Sequence, residues 1–466
     1  MSQIDAGRLD GNGYRDDAPR VEEGFDSRVT EQPAPADHGE GPVMTDEEYQ
    51  AYLDGLARHP LLTDENIRLR AESVRGLRSA CFAVGLLGLA ATLLGAFAVN
   101  PAHALASFEV GVFTVLAMCL GSLFFVMTLA ITNSYWATTL RRQFENVASL
   151  VWLPVLGMII VAIVEIVSGG VLLTWMKGYY EGNYILEKKR AFLNIGFFGL
   201  STIVYAGVWI FLAQSIAKLS RDQDTSGDRW LTRLVRARSG WGLPLFALTT
   251  AFAAFHYLMS LDFRFFSTMW GVYFFAGAAM SSMAVVAVIA GSLRLVGKLN
   301  GVVTKEHSHD LGKLLFAFTV FWAYIGFSQY FLIWYSNIPE ETAYFLYRKE
   351  GGWEVLSFIL AAGHFVVPFF ILISRKTKRN FLGILGAYML LMQVLDMVYV
   401  IRPMVYVGKD WAPTGASPIN WWLDVAAVVG VLGLFAALLL GKMTDGPLIP
   451  IKDPRLGKAL KHKNYV

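Results

Sequence analysis

Ten long apolar runs, separated by short polar segments, occupy most of the chain from residue 78 onwards. Each run is close to the roughly 20 residues that an α-helix needs to cross the hydrocarbon core of a bilayer. Because that core offers no water to exposed backbone groups, runs of this length predict membrane-spanning helices. The pattern therefore predicts an all-α, polytopic membrane protein with spans near residues 78–99, 109–132, 148–175, 191–215, 242–258, 269–293, 311–334, 353–373, 380–401 and 420–441.

Three stretches depart from this simple pattern. The third run contains Glu165 and Gly169–Gly170, which predict a tilt or a kink. The fifth run, 242–258, is short for a membrane helix. Residues 133–147 are too polar to span, and they predict an amphipathic helix that lies flat at the membrane surface before the third span.

The chain divides into an amino-terminal segment, a transmembrane domain and a carboxyl-terminal tail. Residues 1–77 carry 8 arginines, no lysine and 17 acidic residues. Residues 1–43 are rich in Asp, Glu, Gly and Pro, which predicts that this cytoplasmic segment is largely disordered. Later in the amino-terminal segment, Thr45–Glu48 (TDEE) fits a capping box, which predicts the start of a short surface helix. The transmembrane domain follows at 78–441, and a basic tail occupies 442–466.

Composition and charge agree with a membrane protein. The chain is 55% hydrophobic and 17% charged, whereas soluble domains carry roughly 25% charged residues. Lys and Arg concentrate in the tail and in the loops on one side of the predicted spans, with Lys188–Arg190 (KKR) as a contrary signal. This bias predicts cytoplasmic amino and carboxyl termini, and it reports orientation rather than nucleic-acid binding.

The cysteines and histidines argue against a redox cofactor held by this chain. The two cysteines, Cys81 and Cys119, lie in apolar runs and form no C-x-x-C motif, so covalent haem, iron–sulfur clusters and structural zinc are not expected. A haem held between two spans would need His256 and His364, whose predicted depths differ. We therefore predict no metal site.

Several ionisable residues lie within or beside the spans. Hydrocarbon tolerates such groups only where they face protein or water, so each is a functional hypothesis. The predicted topology places them toward the periplasmic side, whereas the cytoplasmic halves of the spans are nearly all apolar. A buried carboxyl or imidazole there could exchange protons. The candidates for proton transfer are Glu165, His256, His364 and Asp396.

Each of these residues also has a structural interpretation. Glu165 could hydrogen-bond a neighbouring helix, and His256 could bind a backbone carbonyl. Asp396 could form an ion pair with Arg402, although six residues is not a helical neighbour spacing. Asp424 lies near enough to the predicted interface that solvation is the expectation.

Four stretches resemble a known family. They are FHYLMSLDFRFFSTMWGVYFFAG at 255–277, DLGKLLFAFTVFWAYIGFSQYFLIWYSNIPEE at 310–341, RRQFE at 141–145 and LIPIKDPRLGKALKHKNY at 448–465. The chain from about residue 110 onwards resembles the ActF membrane subunits of alternative complex III, a bacterial quinol:cytochrome c oxidoreductase. That family is similar to the wider NrfD/PsrC group of membrane subunits. Residues 1–77 take no part in the resemblance.

The resemblance implies an architecture and an assembly. Spans two to five and six to nine would form two four-helix bundles, with the first and last spans at the periphery. The subunit would sit in the bacterial inner membrane and hold no redox cofactor of its own. Its partners would be a sister ActC-like membrane subunit, an iron–sulfur subunit and haem c subunits.

The leading hypothesis is thus a membrane subunit of a respiratory quinol:cytochrome c oxidoreductase that uses menaquinol or ubiquinol. It would contribute a proton path and a quinol contact near the periplasmic side, with His256, Asp262, Gln329 and Arg402 as the candidate quinol ligands. Two alternatives stay open. A secondary transporter acting alone would need broken helices near the midplane, for which Gly169–Gly170 is the hint. A purely structural anchor would pair its buried polar residues helix to helix.

Overall fold

The computed structural model describes residues 44–406 and 420–464. The structure is 80% helical, forms no strand within those residues, and contains ten helices long and apolar enough to cross a membrane. The predicted fold class is therefore confirmed. The ten helices are α1 (Ala71–Ala98), α2 (Pro101–Ile131), α3 (Trp152–Ser168), α4 (Ile195–Ser226), α5 (Trp230–Tyr257), α6 (Trp270–Leu295), α7 (Lys305–Ser336), α8 (Trp353–Ile373), α9 (Leu382–Ile401) and α10 (Trp421–Met443).

Shorter helices lie at the two ends of this bundle. We call the end that holds residues 44–70 and 444–464 the tail side, and the opposite end the loop side. Three long connections on the loop side are 169–194, 258–269 and 337–352. The short helices are Asp46–Ala57, Asp64–Ile67, Thr138–Ala148, Tyr184–Lys189, Pro339–Leu346, Arg375–Asn380 and Leu456–Leu460.

The helices are arranged as two four-membered rings. In the first ring α2 packs on α3, α3 on α4, α4 on α5 and α5 on α2; α6 to α9 repeat this order in the second ring. Helices α2 and α6 pack against each other between the rings, and 94% and 83% of their most apolar windows are buried. The two predicted bundles are thus present, and α2 and α6 form their shared core.

Helices α1 and α10 form the peripheral pair. They approach closely because glycines face each other, as small residues do in membrane helix pairs. A Cβ added to Gly88 would lie 2.6 Å from the Ala426 carbonyl oxygen, and one on Gly433 would lie 2.8 Å from Gly85 Cα. Only 17% of the apolar window of α1 is buried, so most of this helix does not pack against other described residues.

Several helices differ in their bounds from the predicted spans, and α3 and α5 show why. Helix α3 ends at Ser168 instead of continuing to 175, because Gly169 takes a left-handed conformation with φ +69° and ends the helix. Helix α5 begins at Trp230, twelve residues before the predicted start at 242. The arginines in its first turns lower the local hydropathy, so the apolar run alone does not include these turns. Long arginine side chains are nevertheless compatible with a membrane interface, because their apolar stems can cover apolar surface.

The amino-terminal helix Asp46–Ala57 begins with the predicted capping box, in which Thr45 and Glu48 exchange hydrogen bonds. It packs on the carboxyl-terminal tail of the same chain. The buried hydroxyl of Tyr52 donates to the Pro454 carbonyl at 3.1 Å and accepts from the Gly457 amide at 2.9 Å. Residues 1–43, for which disorder is predicted, lie outside the described residues.

The predicted amphipathic helix is present as Thr138–Ala148, but every one of its residues is buried. It does not lie open on a surface, because the tail and the end of α4 cover it. Arg141 bonds Glu145 at 2.9 Å and also contacts Asp453. We call the charged residues gathered here the tail-side ion cluster; they are Arg141, Arg142, Glu145, Asp224, Asp453 and Arg455. The sequence analysis, which considered ionisable residues within and beside the spans, did not predict this cluster.

Close packing of α1 on α10 should make Gly88 intolerant of any side chain. We expect Gly88→Ala to lower the free energy of unfolding by about 1–3 kcal/mol, because the new methyl would meet backbone atoms that cannot move aside. Thermal unfolding in detergent measures this loss. Gly207→Ala is the matched control, since an added Cβ at this exposed helical glycine meets nothing within 4 Å. Equal melting temperatures for the two variants would contradict the packing argument.

Asp453 should make the tail-side ion cluster sensitive to acid. Burial alone would raise the pKa of this carboxyl, but Arg455 and Arg141 outweigh burial and hold the pKa well below its usual range. Since the folded pKa is depressed, the stabilisation is present above about pH 4 and is lost as pH falls further.

We expect Asp453→Asn to lower the free energy of unfolding by about 3–5 kcal/mol at neutral pH, because two guanidinium groups lose a buried partner. Melting temperatures measured from pH 7 to pH 3 should therefore fall less steeply for this variant than for the parent chain. The exposed Asp64→Asn, which removes only a surface pair with Arg68, serves as the control. Parallel pH profiles for D453N and the parent would refute the assignment.

Candidate functional site: a buried polar cluster in each bundle

The second bundle encloses a polar cluster to which each of its four helices contributes. Asp396 of α9 accepts hydrogen bonds from the hydroxyl of Tyr273 on α6 and, at 3.3 Å, from the indole nitrogen of Trp322 on α7. The ring of His364 on α8 lies over Trp322, with 4.0 Å between the ring centroids. All four side chains are buried. The structure thus brings together two of the predicted proton-transfer residues, Asp396 and His364.

Two members of this region have polar atoms without a protein partner. Both ring nitrogens of His364 and both amide atoms of Gln393 are fully buried and make no hydrogen bond with any described residue. Gln393 precedes Asp396 by one helical turn, so the two share a face of α9. A buried polar atom left unpaired costs about 1–3 kcal/mol. We call Tyr273, Trp322, His364, Gln393 and Asp396 the α6–α9 cluster.

The backbone of α8 changes its winding at this cluster. Residues Leu360–Val366, which include His364, form a π-helical segment between two α-helical turns. Such segments are rare and occur frequently at functional sites. The Gly363 carbonyl accepts a hydrogen bond from the Tyr388 hydroxyl of α9 at 2.7 Å. The distortion therefore coincides with the histidine that lacks partners.

The first bundle holds a second group, which we call the α2–α5 cluster: Glu109, Glu165, Thr202 and Tyr257. The hydroxyl groups of Thr202 and Tyr257 are 2.8 Å apart. The Glu109 carboxyl is close enough to both Glu165 and Tyr257 to interact electrostatically. Its Oε2 atom is buried and has no hydrogen-bond partner among the described residues.

Sequence reasoning missed Glu109 because the apolar run places it at the edge of the second span. In the structure α2 starts at Pro101, so Glu109 lies more than two turns inside the helix. A signal for this start was present. Asn100 is a favourable N-cap residue followed by Pro at the first helical position, and its side chain accepts from the amides of Ala102 and His103.

Glu165 has a full set of partners. Its carboxylate accepts hydrogen bonds from three consecutive backbone amides, those of Val171 at 2.9 Å, Leu172 at 2.8 Å and Leu173 at 3.0 Å. These amides belong to the connection that follows α3. Glu165 therefore fixes the loop that turns back at Gly169.

His256 is also bonded at both ring nitrogens. Nδ1 lies 2.9 Å from the Tyr205 hydroxyl, and Nε2 lies 3.3 Å from the Phe192 carbonyl oxygen. The imidazole stacks on the Phe192 ring, with 4.0 Å between centroids. The structure places this predicted proton-transfer residue in the first bundle, with Glu165, and apart from Asp396 and His364.

The four predicted quinol ligands do not converge on one point. His256 and Gln329 contact loop 258–269, to which Asp262 belongs: Ser260 bonds the His256 carbonyl, and Ser267 donates to Gln329 at 2.7 Å. Asp262 accepts from the Arg264 amide at 3.0 Å, and its burial raises the pKa of this carboxyl while Arg264 opposes the rise. Arg402 lies elsewhere, at the ends of α9 and α10.

Arg402 is fully buried and pairs with Asp424, not with Asp396. Its Nε atom donates to Asp424 at 2.6 Å, and Ser107 donates to the same carboxylate oxygen at 2.7 Å. His103 contacts both members of the pair. Because Asp424 is only 3% exposed, the expected solvation of this residue is wrong. The group ties α2, α9 and α10 together on the loop side.

Two further basic residues hold the loop side in place. The buried guanidinium of Arg348, which sequence reasoning did not single out, donates to the carbonyls of Tyr344, Tyr399 and Val400 at 2.8–3.0 Å. Lys189 donates to the Phe263 carbonyl at 2.7 Å, and burial lowers the pKa of its ammonium group. This structural role explains why Lys189, which belongs to the KKR triplet, lies on the loop side, where the charge bias predicts few lysines.

Within the described residues, no group of three or more His, Cys, Asp or Glu side chains is placed to hold a metal ion. Comparison of the chain with protein-family models and with curated proteins found no match. The candidate site therefore consists of the two buried clusters, of which the α6–α9 cluster contains His364 and Gln393 with their unpaired atoms.

Glu165 and Glu109 should respond differently to the same isosteric change. We expect Glu165→Gln to lower the free energy of unfolding by about 1–3 kcal/mol, because an amide NH2 would face backbone amides that now donate to a carboxylate. Glu109→Gln should cost less, since Oε2 of Glu109 has no donor to lose. Thermal unfolding of the two variants in the same detergent measures the difference. A more severe loss for E109Q would contradict these assignments.

Proposed function

We propose that this chain is an integral membrane subunit of a respiratory quinol:cytochrome c oxidoreductase of the alternative complex III type. It would lie in a bacterial inner membrane, with its tail side in the cytoplasm. The resemblance of residues 255–277 and 310–341 to ActF subunits supports the proposal, and these two stretches contain Tyr273 and Trp322 of the α6–α9 cluster. Iron–sulfur and haem c subunits, beside an ActC-like sister, would carry the electrons from menaquinol or ubiquinol.

The role proposed for this chain is proton transfer, and the α6–α9 cluster is the observation that carries it. A neutral imidazole has one nitrogen that donates and one that accepts, and both nitrogens of His364 are free of protein partners. Asp396 is held by the phenol of Tyr273 and the indole of Trp322. Tyr273 and Trp322 would position the carboxyl, and Asp396 and His364 would hold and pass the proton through bridging water.

The α2–α5 cluster would form a second part of the proposed proton path. Glu109 has an unpaired oxygen near Glu165 and Tyr257, so it joins Asp396 as a candidate proton carrier. His256 and Glu165 are bonded to protein at all their polar side-chain atoms. Gln329 and Arg402 also bond to protein groups. Asp262 accepts from the Arg264 amide through one oxygen, whereas its Oδ2 atom is buried and has no hydrogen-bond partner among the described residues. Because the four predicted quinol ligands do not converge on one point, we assign no quinol step to them.

The two alternative functions have less support. Gly169–Gly170 do not support a transporter, because they follow the end of α3 and do not break the helix. A purely structural anchor accounts for the Arg402–Asp424 pair and for the bonds of Glu165. It does not account for the unpaired atoms of His364 and Gln393.

Replacing Asp396 or His364 in the assembled complex tests the proposal. We expect Asp396→Asn and His364→Gln each to lower quinol:cytochrome c turnover about a hundredfold, in line with the loss of a positioned acid–base group. Stopped-flow turnover and proton release from proteoliposomes are the measurements. Glu340→Gln, which removes an exposed loop-side carboxylate, is the control and should leave both unchanged.

Two outcomes would reject the proposal. If both D396N and H364Q kept wild-type turnover and proton release, the proton-transfer role would be rejected. If the tagged chain were purified from its native membrane without haem- or cluster-bearing partners, it would not be a subunit of such a complex.

A further inference from the structure

A groove runs along the tail side between α1, α10 and the amphipathic helix–α3 junction. It consists of a cleft of about 480 Å³ and a neighbouring cleft of about 300 Å³, which share Arg78, Leu438 and Thr444 as lining residues. Both volumes fall in the range of about 300–1,000 Å³ that is usual for small-ligand sites. None of the residues of the α6–α9 cluster or the α2–α5 cluster lines either cleft. We call this feature the tail-side groove.

Three of the four charged residues that line the groove are cationic. Arg75 and Arg78 lie one helical turn apart on α1, and neither makes a hydrogen bond or ion pair with another part of the described chain. Lys442 of α10 also lines the groove. Asp445 is the one carboxylate among the residues that line it, and it is already shared by Lys442 at 3.3 Å and Arg221 at 3.7 Å. The groove is therefore complementary to an anion.

The guanidinium of Arg78 lies directly against the backbone of α10. A Cβ added to Gly441 would be 2.9 Å from the central carbon of this guanidinium. The glycine thus lets the charged group lie across the groove, beside the polar side chain of Thr444. A guanidinium with free N–H groups in such a position can bind phosphate oxygens in bidentate fashion.

The groove becomes apolar toward the middle of the membrane. Phe82 lies one turn further along α1 than Arg78, and Trp152 begins α3 on the other side of the groove. Both are partly exposed, at 49% and 39%, as expected for side chains that face acyl chains. Basic groups at one end and aromatic walls beyond them match the two halves of a phospholipid. Basic pockets between transmembrane helices on the cytoplasmic side are known to bind anionic head groups.

We propose that the tail-side groove binds an anionic phospholipid. Arg75 and Arg78 hold the phosphate, Lys442 adds positive charge at the second cleft, and the acyl chains lie along Phe82 and Trp152. The bound lipid would join α1 and α10 to the amphipathic helix region, where the peripheral pair meets the first bundle. This proposal does not depend on the proton-transfer role.

Native mass spectrometry of the purified full-length chain tests this site. The protein is exposed to equal amounts of phosphatidylglycerol and phosphatidylcholine with the same acyl chains, and the retained lipid is identified. We expect selective retention of phosphatidylglycerol by the parent chain. Retention should fall about thirtyfold in Arg75→Gln/Arg78→Gln, because each basic side chain near a membrane surface attracts anionic lipid. Both side chains are exposed, so the double variant should fold.

The control variant removes the same charge from another part of the tail side. Lys305→Gln/Lys376→Gln changes two exposed lysines that do not line the groove, and it should retain phosphatidylglycerol like the parent. Equal retention by R75Q/R78Q and the parent would overturn the proposal, as would equal retention of phosphatidylcholine. Displacement of the lipid by millimolar inorganic phosphate would likewise overturn it, since the site would then recognise a free anion and not a lipid.

Discussion

A polar group buried among membrane helices must find its partner within the protein, and this constraint organises the structure on both sides of the bundle. On the loop side, Arg402 pairs with Asp424, and Arg348 binds backbone carbonyls at the end of α9. On the tail side, Arg141 and Arg455 share Asp453. Each arrangement joins elements that are far apart in sequence, so satisfying the charge also fixes how the helices meet.

The same constraint separates structural polar residues from candidate functional ones. Glu165 and His256 are saturated with protein partners, and their roles in closing a loop and holding a helix end are complete without any further group. His364, Gln393 and Glu109 are as deeply buried, yet they keep atoms that bond to nothing in the described chain. Arg75 and Arg78 at the tail side also lack protein partners, but their side chains are exposed. Buried unpaired atoms thus support the proposed proton site, although they are not confined to it: Asp262 Oδ2 and the indole nitrogen of Trp270 also lack partners among the described residues.

The tail side shows how a polar helix can become part of the interior. Thr138–Ala148 lies between the membrane bundle and the carboxyl-terminal tail, and the tail is in turn covered by the amino-terminal helix through Tyr52. The Gln143 amide binds the Leu448 carbonyl at 2.7 Å, which adds a contact between tail and helix. Segments that flank the transmembrane domain in sequence therefore form one layer across its end.

The sequence by itself determined the ten spans, the all-α class and the capping box at Thr45, because apolar length and local hydrogen bonding act over a few residues. It also identified Asp396 and His364 as candidates, since an ionisable residue in an apolar run is visible without a fold. Only the tertiary structure decided that these two share Trp322, that Arg402 pairs with Asp424 and that Glu109 lies inside α2. Those pairings depend on which helices become neighbours, and hydropathy carries no information about contacts between residues on different helices.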